Sequence, residues 1–278
     1  MDENSQPHLQ LALRIAQLLQ LNPVVEAVGL GGSLAHTRPD SSSDVDVYVF
    51  TSGDFPVGHR QKLVEQLGGS TIANMGLDYW GAGDEWVDAQ TGIEVDLVIF
   101  DAHWMEQQLI RVVDHCLPSL GYSTCFWFTC QKLRPLFDRR GWLAGIQTRA
   151  AIPYPEQLLK NIVHHNHPVL RKIIPSYYNQ IAKAVSRSDA VSVNHRTTAF
   201  LASYFDILFA LNRVLHPGEK RMLDFAIKTC TCLPVDFEAD IVRVLNKSGC
   251  ASPGILDALT CLCDHLDETL LRDGMIVV

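Results

Sequence analysis

Basic residues are scarce in this chain: 23 Lys and Arg stand against 31 Asp and Glu, a formal net charge of −8 over 278 residues. Nucleic-acid binding normally rests on a basic surface, so a nucleic-acid substrate is not expected, and a cationic partner suits this field better. Long apolar runs are missing as well; nothing approaches the roughly 20 consecutive apolar residues of a membrane helix. The segment MDENSQPHLQLALRIAQ has no basic stretch leading into an apolar core. No secretory signal peptide is therefore expected, and the location expected is cytoplasmic. The eight cysteines form no Cys-x-x-Cys pair. Cys230 and Cys232, like Cys261 and Cys263, are two apart, a spacing that points side chains in different directions on a helix. Free thiols are expected, rather than a disulfide framework or a cysteine-rich metal site. Repeats and low-complexity tracts are also lacking. A hydrophobic content of 47% and a charged content of 19% describe an ordinary globular chain, long enough for one large or two modest domains.

What the chain does have is concentrated between Gly31 and Asp46. Val24 to Leu30 is a short β-branched run with the composition of a buried strand, and it ends on Gly31 and Gly32. Two glycines let the backbone turn sharply and approach a ligand, and Ser33 is a good N-cap for a helix starting at Leu34 and Ala35. Such a helix N-terminus favours phosphate. Asp44 to Phe50 reads as a second strand whose first residues place Asp44 and Asp46 on one side. Two carboxylates held side by side repel, and a divalent cation such as Mg²⁺ is the usual way to keep both ionised. A third strand, Ile93 to Phe100, carries Glu94 and Asp96 on one face of an apolar run, where an unpaired charge is expensive. Taken singly, Gly-Gly-Ser is more often an ordinary strand-to-helix turn, and Asp-x-Asp at a strand start is commonly a solvated edge or a cap. Together, and in this order, they favour the site.

The set Gly31-Gly32-Ser33, Asp44-x-Asp46 and Val95-Asp96-Leu97-Val98 resembles the DNA polymerase beta-like nucleotidyltransferase superfamily. Within it the chain is most similar to the small bacterial aminoglycoside and lincosamide nucleotidyltransferases, through the spacing of Ser33 to Asp44 and its Arg38-Pro39-Asp40-Ser41 stretch. The resemblance covers roughly the first hundred residues, in the sense of a motif match rather than a full alignment. It implies an α+β fold in which a small mixed β-sheet catalytic domain, flanked by helices, precedes an all-helical domain that helps bind nucleotide and acceptor. It also implies an enzyme that moves a nucleoside monophosphate, AMP from ATP, to a hydroxyl of a small acceptor of the aminoglycoside class, with antibiotic resistance as a possible setting.

The rest of the chain fits that layout. Leu9 to Leu21, His59 to Leu67 and Ala102 to Cys116 have helical periodicity, and Ser70 to Tyr79 reads as a strand. Trp80 to Trp86 reads as a glycine-rich connection whose tryptophans either stack on a substrate ring or pack in a hairpin loop. Phe126 to Leu136 fits a strand or a buried helix, and the Leu136 to Gly141 segment resembles the strand-and-turn end of the family's catalytic domain. Pro153 and Pro155 interrupt the pattern, which sets the expected division at residues 1–148 and 149–278. Beyond it strand signals vanish, and helices are expected over Glu156 to His167, Val169 to Ser186, Ser192 to Leu215, Glu219 to Cys230, Asp236 to Asn246 and Pro253 to Leu271. Arg213, Lys220 and Arg221 cluster where the long apolar helix turns at Pro217-Gly218. The family resemblance gives Arg213 and Lys220 a role at the nucleotide phosphates; a basic helix end complementing the dipole is the competing account.

The expected chemistry is then explicit. Asp44, Asp46 and Asp96 hold two Mg²⁺ ions, and such paired ions stabilise the attacking and leaving oxygens of an in-line displacement. Asp96 or Glu94 takes the acceptor proton as pyrophosphate leaves, held by Gly32, Ser33 and Lys220. Two other readings share these residues: transfer to a protein or RNA acceptor, and a silent nucleotide-binding module. His164, His165 and His167 lack a fourth ligand at a recognised spacing and are expected to be non-metal histidines. Asp101 is expected to cap the helix after its strand.

Overall fold

The computed structural model describes residues 6–32, 44–79 and 81–277. Ser33 and the Arg38-Pro39-Asp40-Ser41 stretch, with Trp80, lie outside the described residues. The chain divides into two compact units, residues 1–110 with 129–152, and residues 111–128 with 153–278.

The first unit is built on a six-stranded mixed sheet. In chain order the elements up to residue 152 are α1 (Gln6–Leu19), β1 (Val25–Leu30), β2 (Val45–Thr51), α2 (Val57–Leu67), β3 (Ser70–Leu77), β4 (Gly83–Asp88), β5 (Glu94–Asp101), α3 (Ala102–Val113), α4 (Cys125–Lys132), β6 (Arg134–Asp138) and α5 (Trp142–Ala150), of which α3 ends and α4 begins within the 111–128 segment of the second unit. The strand order is β3-β4-β5-β2-β1-β6. Only β2 and β5 run parallel; every other pairing is antiparallel. Strand alternation sorts the sheet's faces. Val45, Val47, Val49, Val95 and Leu97 point into a core closed by Leu11, Ile15 and Leu19 of α1 and by Leu63, Val64 and Leu67 of α2. The residues between them on β2 and β5, Asp46, Tyr48, Asp96, Val98 and Phe100, lie on the opposite face and are half-buried.

One sequence expectation is corrected here and one open alternative is settled. The glycine-rich connection after Trp80 is in fact the strand β4, with Trp86 2% exposed and part of the core, so its indole is structural. Gly83 explains how the strand fits: a Cβ there would lie 2.6 Å from the Leu97 carbonyl oxygen, so only glycine allows β4 to lie this close to β5. The ambiguous Phe126 to Leu136 run is both things in succession, the helix α4 and then the edge strand β6. Arg139, just past β6, donates to the carbonyls of Val25, Gln20 and Asn22, which fastens this edge to the start of β1.

The second unit is helical: α6 (Glu156–His167), a π turn over Pro168–Lys172, α7 (Tyr177–Ser186), α8 (Ala190–Leu211), α9 (Met222–Thr229), α10 (Phe237–Lys247) and α11 (Gly254–Arg272). Pro168 ends regular α-helix, and the expected continuation to Ser186 is broken by the non-helical Ile173–Ser176. Asp189 and Ser176 cap α8 and α7 by accepting from the backbone N–H three residues on. Phe200, Tyr204 and Leu208 of α8 are buried. Asp206, also on α8, takes the Ser123 N–H at 2.9 Å, the Ser123 hydroxyl at 2.6 Å and the Asn166 amide at 3.3 Å, binding the 111–128 segment to this unit.

Candidate functional site

The acids expected to work together are brought together by register. On the parallel pair β2/β5, Asp46 lies directly beside Asp96, near the start of both strands. Neighbouring strands are about 4.8 Å apart, so these two carboxylates share one patch of the sheet face. Asp44 is half-buried and two residues upstream of Asp46, on the same side by strand periodicity. Glu94, two residues before Asp96, shares its face and is exposed.

The glycine turn is part of the same construction. The Gly31 N–H donates to the Asp46 carbonyl at 2.9 Å, extending the β1/β2 ladder to the acids. Gly32 has φ +60°, in the left-handed region that glycine tolerates, and a Cβ on it would overlap Oδ2 of Asp46. A Cβ on Gly31 would overlap the Tyr48 ring. Both glycines are therefore required by side chains of β2, and backbone at Gly32 packs directly on the Asp46 carboxylate. Ser33, the expected phosphate-binding cap, lies outside the described residues.

Behind the acids the same sheet face is aromatic. The Tyr48 and Phe100 rings stack with centroids 6.1 Å apart, Phe100 stacks on Trp104 at 5.6 Å, and Phe50 meets Trp142 at 4.9 Å. Asp101 accepts the Trp104 N–H at 2.7 Å and so starts α3 as expected. The aromatic row fills the far end of the face with apolar surface, leaving the strand starts as its polar end.

Glu85 is a further acid that was not singled out from the sequence. It faces Asp96 directly across the antiparallel β4/β5 pair and is half-buried. Glu85, Asp96 and Asp46 thus form a row across three adjacent strands. Its neighbour Asp84 points to the other side, where its carboxylate is fully buried and takes Arg60 Nη1 of α2 at 2.6 Å and the Gly76 N–H at 2.7 Å. That anchor fixes the strand and hence the side on which Glu85 emerges. The signal for Glu85 was obscured because the glycines ahead of it read as a loop.

A row of carboxylates on neighbouring strands is a place that favours positive charge. The donor set, all carboxylate, is that of a hard cation such as Mg²⁺, and the Asp46 carboxylate occupies the place that a Cβ on Gly32 would take. Their chemistry is that of a Mg²⁺ site, and among the described residues no three of these carboxylates converge to within 4.8 Å of one another.

Arg213 and Lys220 belong to the second unit. Arg213, just past α8 with φ +53°, makes a two-pronged ion pair with Glu156, Nε to Oε1 at 2.6 Å and Nη2 to Oε2 at 2.9 Å. This hydrogen-bonded pairing raises the Arg213 pKa and lowers that of Glu156, although both side chains are at least half exposed and the pair is screened by water. Lys220 is exposed and makes no hydrogen bond or ion pair among the described residues. Of the three clustered histidines, His164 and His165 are exposed, while His167 is buried and paired with Asp267. The cysteines are all free thiols, and no helix among the described residues is long and apolar enough to cross a membrane.

No family model matches the chain, and no curated protein matches it. Among solved structures, one described as a nucleotidyltransferase-like protein from Exiguobacterium sibiricum is similar over 95% of this chain and 76% of its own length, with 13% identity and a TM-score of 0.44.

Proposed function

We propose that the chain is a Mg²⁺-dependent nucleotidyltransferase that moves AMP from ATP to a hydroxyl of a small acceptor and releases pyrophosphate. The observation that carries the reading is the lateral pairing of Asp46 with Asp96, with the Gly32 backbone seated on the Asp46 carboxylate. In this reading Asp44, Asp46 and Asp96 hold the ions, whose contribution is to neutralise phosphate charge and stabilise the entering and leaving oxygens. The turn at Gly31 and Gly32 lets backbone approach the triphosphate without a Cβ in the way. The acceptor oxygen forms a new bond to the α-phosphorus, the bond from that phosphorus to the α,β-bridging oxygen breaks, and the acceptor's proton passes to Asp96 or Glu94. Arg213 and Lys220 are the proposed phosphate cations, with Lys220 the better candidate because, among the described residues, no carboxylate pairs with it.

The net charge of −8 favours a cationic acceptor, and an aminoglycoside-like antibiotic has both the charge and the hydroxyls. The deciding experiment is pyrophosphate release with Mg²⁺ and each nucleoside triphosphate, across aminoglycosides, lincosamides, RNA and protein extract. Asp46→Asn should lower transfer by about 10³-fold or more, in keeping with loss of a charge stabiliser in the transition state, while circular dichroism stays that of the parent. Transfer retained in that variant would remove the assignment.

A further inference from the structure

The second unit carries a side-chain cluster that nucleotide transfer does not use. Cys261 and His265 are four apart on α11, which puts them one turn apart on the same face. Asp240 of α10, 1% exposed, meets both. Its Oδ2 lies 2.7 Å from His265 Nδ1 and its Oδ1 lies 3.6 Å from Cys261 Sγ. One ligand atom from each of the three lies within 4.8 Å of the others.

Sulfur, imidazole nitrogen and carboxylate oxygen converging from two helices is a donor set for zinc-class ions rather than for magnesium. The spacing agrees. Metal bonds of about 2.3 Å to sulfur and about 2.0 Å to oxygen and nitrogen set tetrahedral edges of about 3.5 Å between S and O and about 3.3 Å between N and O. The first matches the 3.6 Å between Cys261 Sγ and Oδ1; the His265 contact is to the other oxygen, Oδ2, so binding needs the carboxylate to turn one oxygen to both ligands and His265 to move outward by roughly half an ångström. Positive charge is already held here: Arg243 Nη1 lies 3.0 Å from Asp240 Oδ1 and 3.5 Å from Cys261 Sγ. The Arg243 side chain is half exposed, so it can swing into water. A simple clasp between the helices accounts for Asp240, His265 and Arg243, with Cys261 joined to it through weak sulfur hydrogen bonds to Asp240 and Arg243.

We propose that Asp240, Cys261 and His265 form a three-ligand site for a thiophilic divalent cation of the zinc class, with Arg243 as the cation that holds the carboxylate when the metal is away. On binding, Cys261 releases its thiol proton to solvent, the proton that His265 Nδ1 donates to Asp240 in the metal-free protein leaves that nitrogen for Nε2 or for solvent, the Nδ1 lone pair goes to the ion, and the fourth position is left to water. The site is independent of the acids on the sheet.

Cobalt(II) titration of the full-length, chelator-treated protein tests this, because a tetrahedral thiolate site gives intense visible bands and a thiolate-to-cobalt charge-transfer band that zinc then abolishes. One equivalent of cobalt should produce both in the parent. Cys261→Ser should remove the charge-transfer band, with circular dichroism and melting of the metal-free protein unchanged, since Cys261 is only partly buried. His265→Gln should weaken binding about tenfold or more, and Arg243→Gln should tighten it about threefold or more by removing the competing charge. The Arg243 gain also guards against misfolding as an explanation, because a damaged site does not bind better. A charge-transfer band that persists without Cys261, no such band in the parent, or an affinity indifferent to Arg243 would each overturn the proposal.

Discussion

Asp46 and Asp96 sit side by side, and Glu85 adds a third carboxylate directly across from Asp96. Opposed like charges on a cross-strand pair cost roughly 0.2–1 kcal/mol, so Glu85 has no structural reason to be acidic. On the proposed function, its placement would add a fourth carboxylate to the hold on Mg²⁺. Glu85→Gln should therefore separate activity from stability. Nucleotide transfer should fall about tenfold or more, in the range of a positioned acid–base partner, while the urea midpoint of the metal-free protein stays level or rises. A lower midpoint with unchanged transfer would make Glu85 an ordinary strand residue. Asp46 and Asp96 were legible because their signals are local: a spacing of two at a strand start, and an acid within a β-branched run. Gly32 was legible as a turn, but its packing against Asp46 is a meeting of residues fourteen apart that no local pattern carries.

At the scale of elements, β4 is where local reading failed and tertiary structure decided. Its glycines argue for a loop, yet Gly83 is demanded by the close backbone of β5, and the strand is then held from below by one ion pair. Arg60 and Asp84 have side chains 8% and 0% exposed, and Arg60 also donates to the Phe55 carbonyl at 3.2 Å. Removing one partner leaves a buried charge uncompensated. Asp84→Ala should cost about 3–5 kcal/mol by that mechanism, measured by urea denaturation, and should lower nucleotide transfer as β4 loses the register that presents Glu85. A stability loss under about 1 kcal/mol would mean that the pair is solvated, as exposed pairs are. The strands β2 and β5 needed no such help to be read, because their alternation and apolar runs agree with burial. Helices α8, α10 and α11 were equally plain from their 3.6-residue periodicity, with ends shifted by a few residues where capping by Asp189 or a left-handed Asp236 sets the start.

Over the whole chain, the segment 111–128 leaves the sheet unit, packs with the helical unit, and returns. That excursion was not readable from proline positions, because what holds it is two buried polar groups far away in sequence. Asp206 takes three donors from Ser123 and Asn166, and the backbone N–H of His216, whose imidazole is buried beside it, donates to the Thr124 hydroxyl at 2.7 Å. Both groups titrate abnormally, and in opposite directions. Burial pushes the Asp206 carboxyl from 3.8 to about 7, against the pull of its Ser123 hydrogen bonds. Burial against Tyr122 and Phe209 lowers His216 from 6.5 to about 4. Between about pH 4 and 7 the folded protein keeps a proton on Asp206 that the unfolded chain has released, so this group's contribution to stability falls as pH rises. Between about pH 4 and 6.5 the unfolded chain binds a proton at His216 that the folded protein refuses, so that contribution rises with pH. The two slopes offset each other in the parent, and single variants should expose them. The destabilisation caused by Asp206→Asn should be larger at pH 4.5 and shrink by a few kcal/mol by pH 7.5, whereas that of His216→Gln should grow over the same interval. Urea denaturation at the two pH values measures both; penalties that do not move with pH, or that move together, would show that these groups titrate normally in the folded protein and that the segment is held by packing alone.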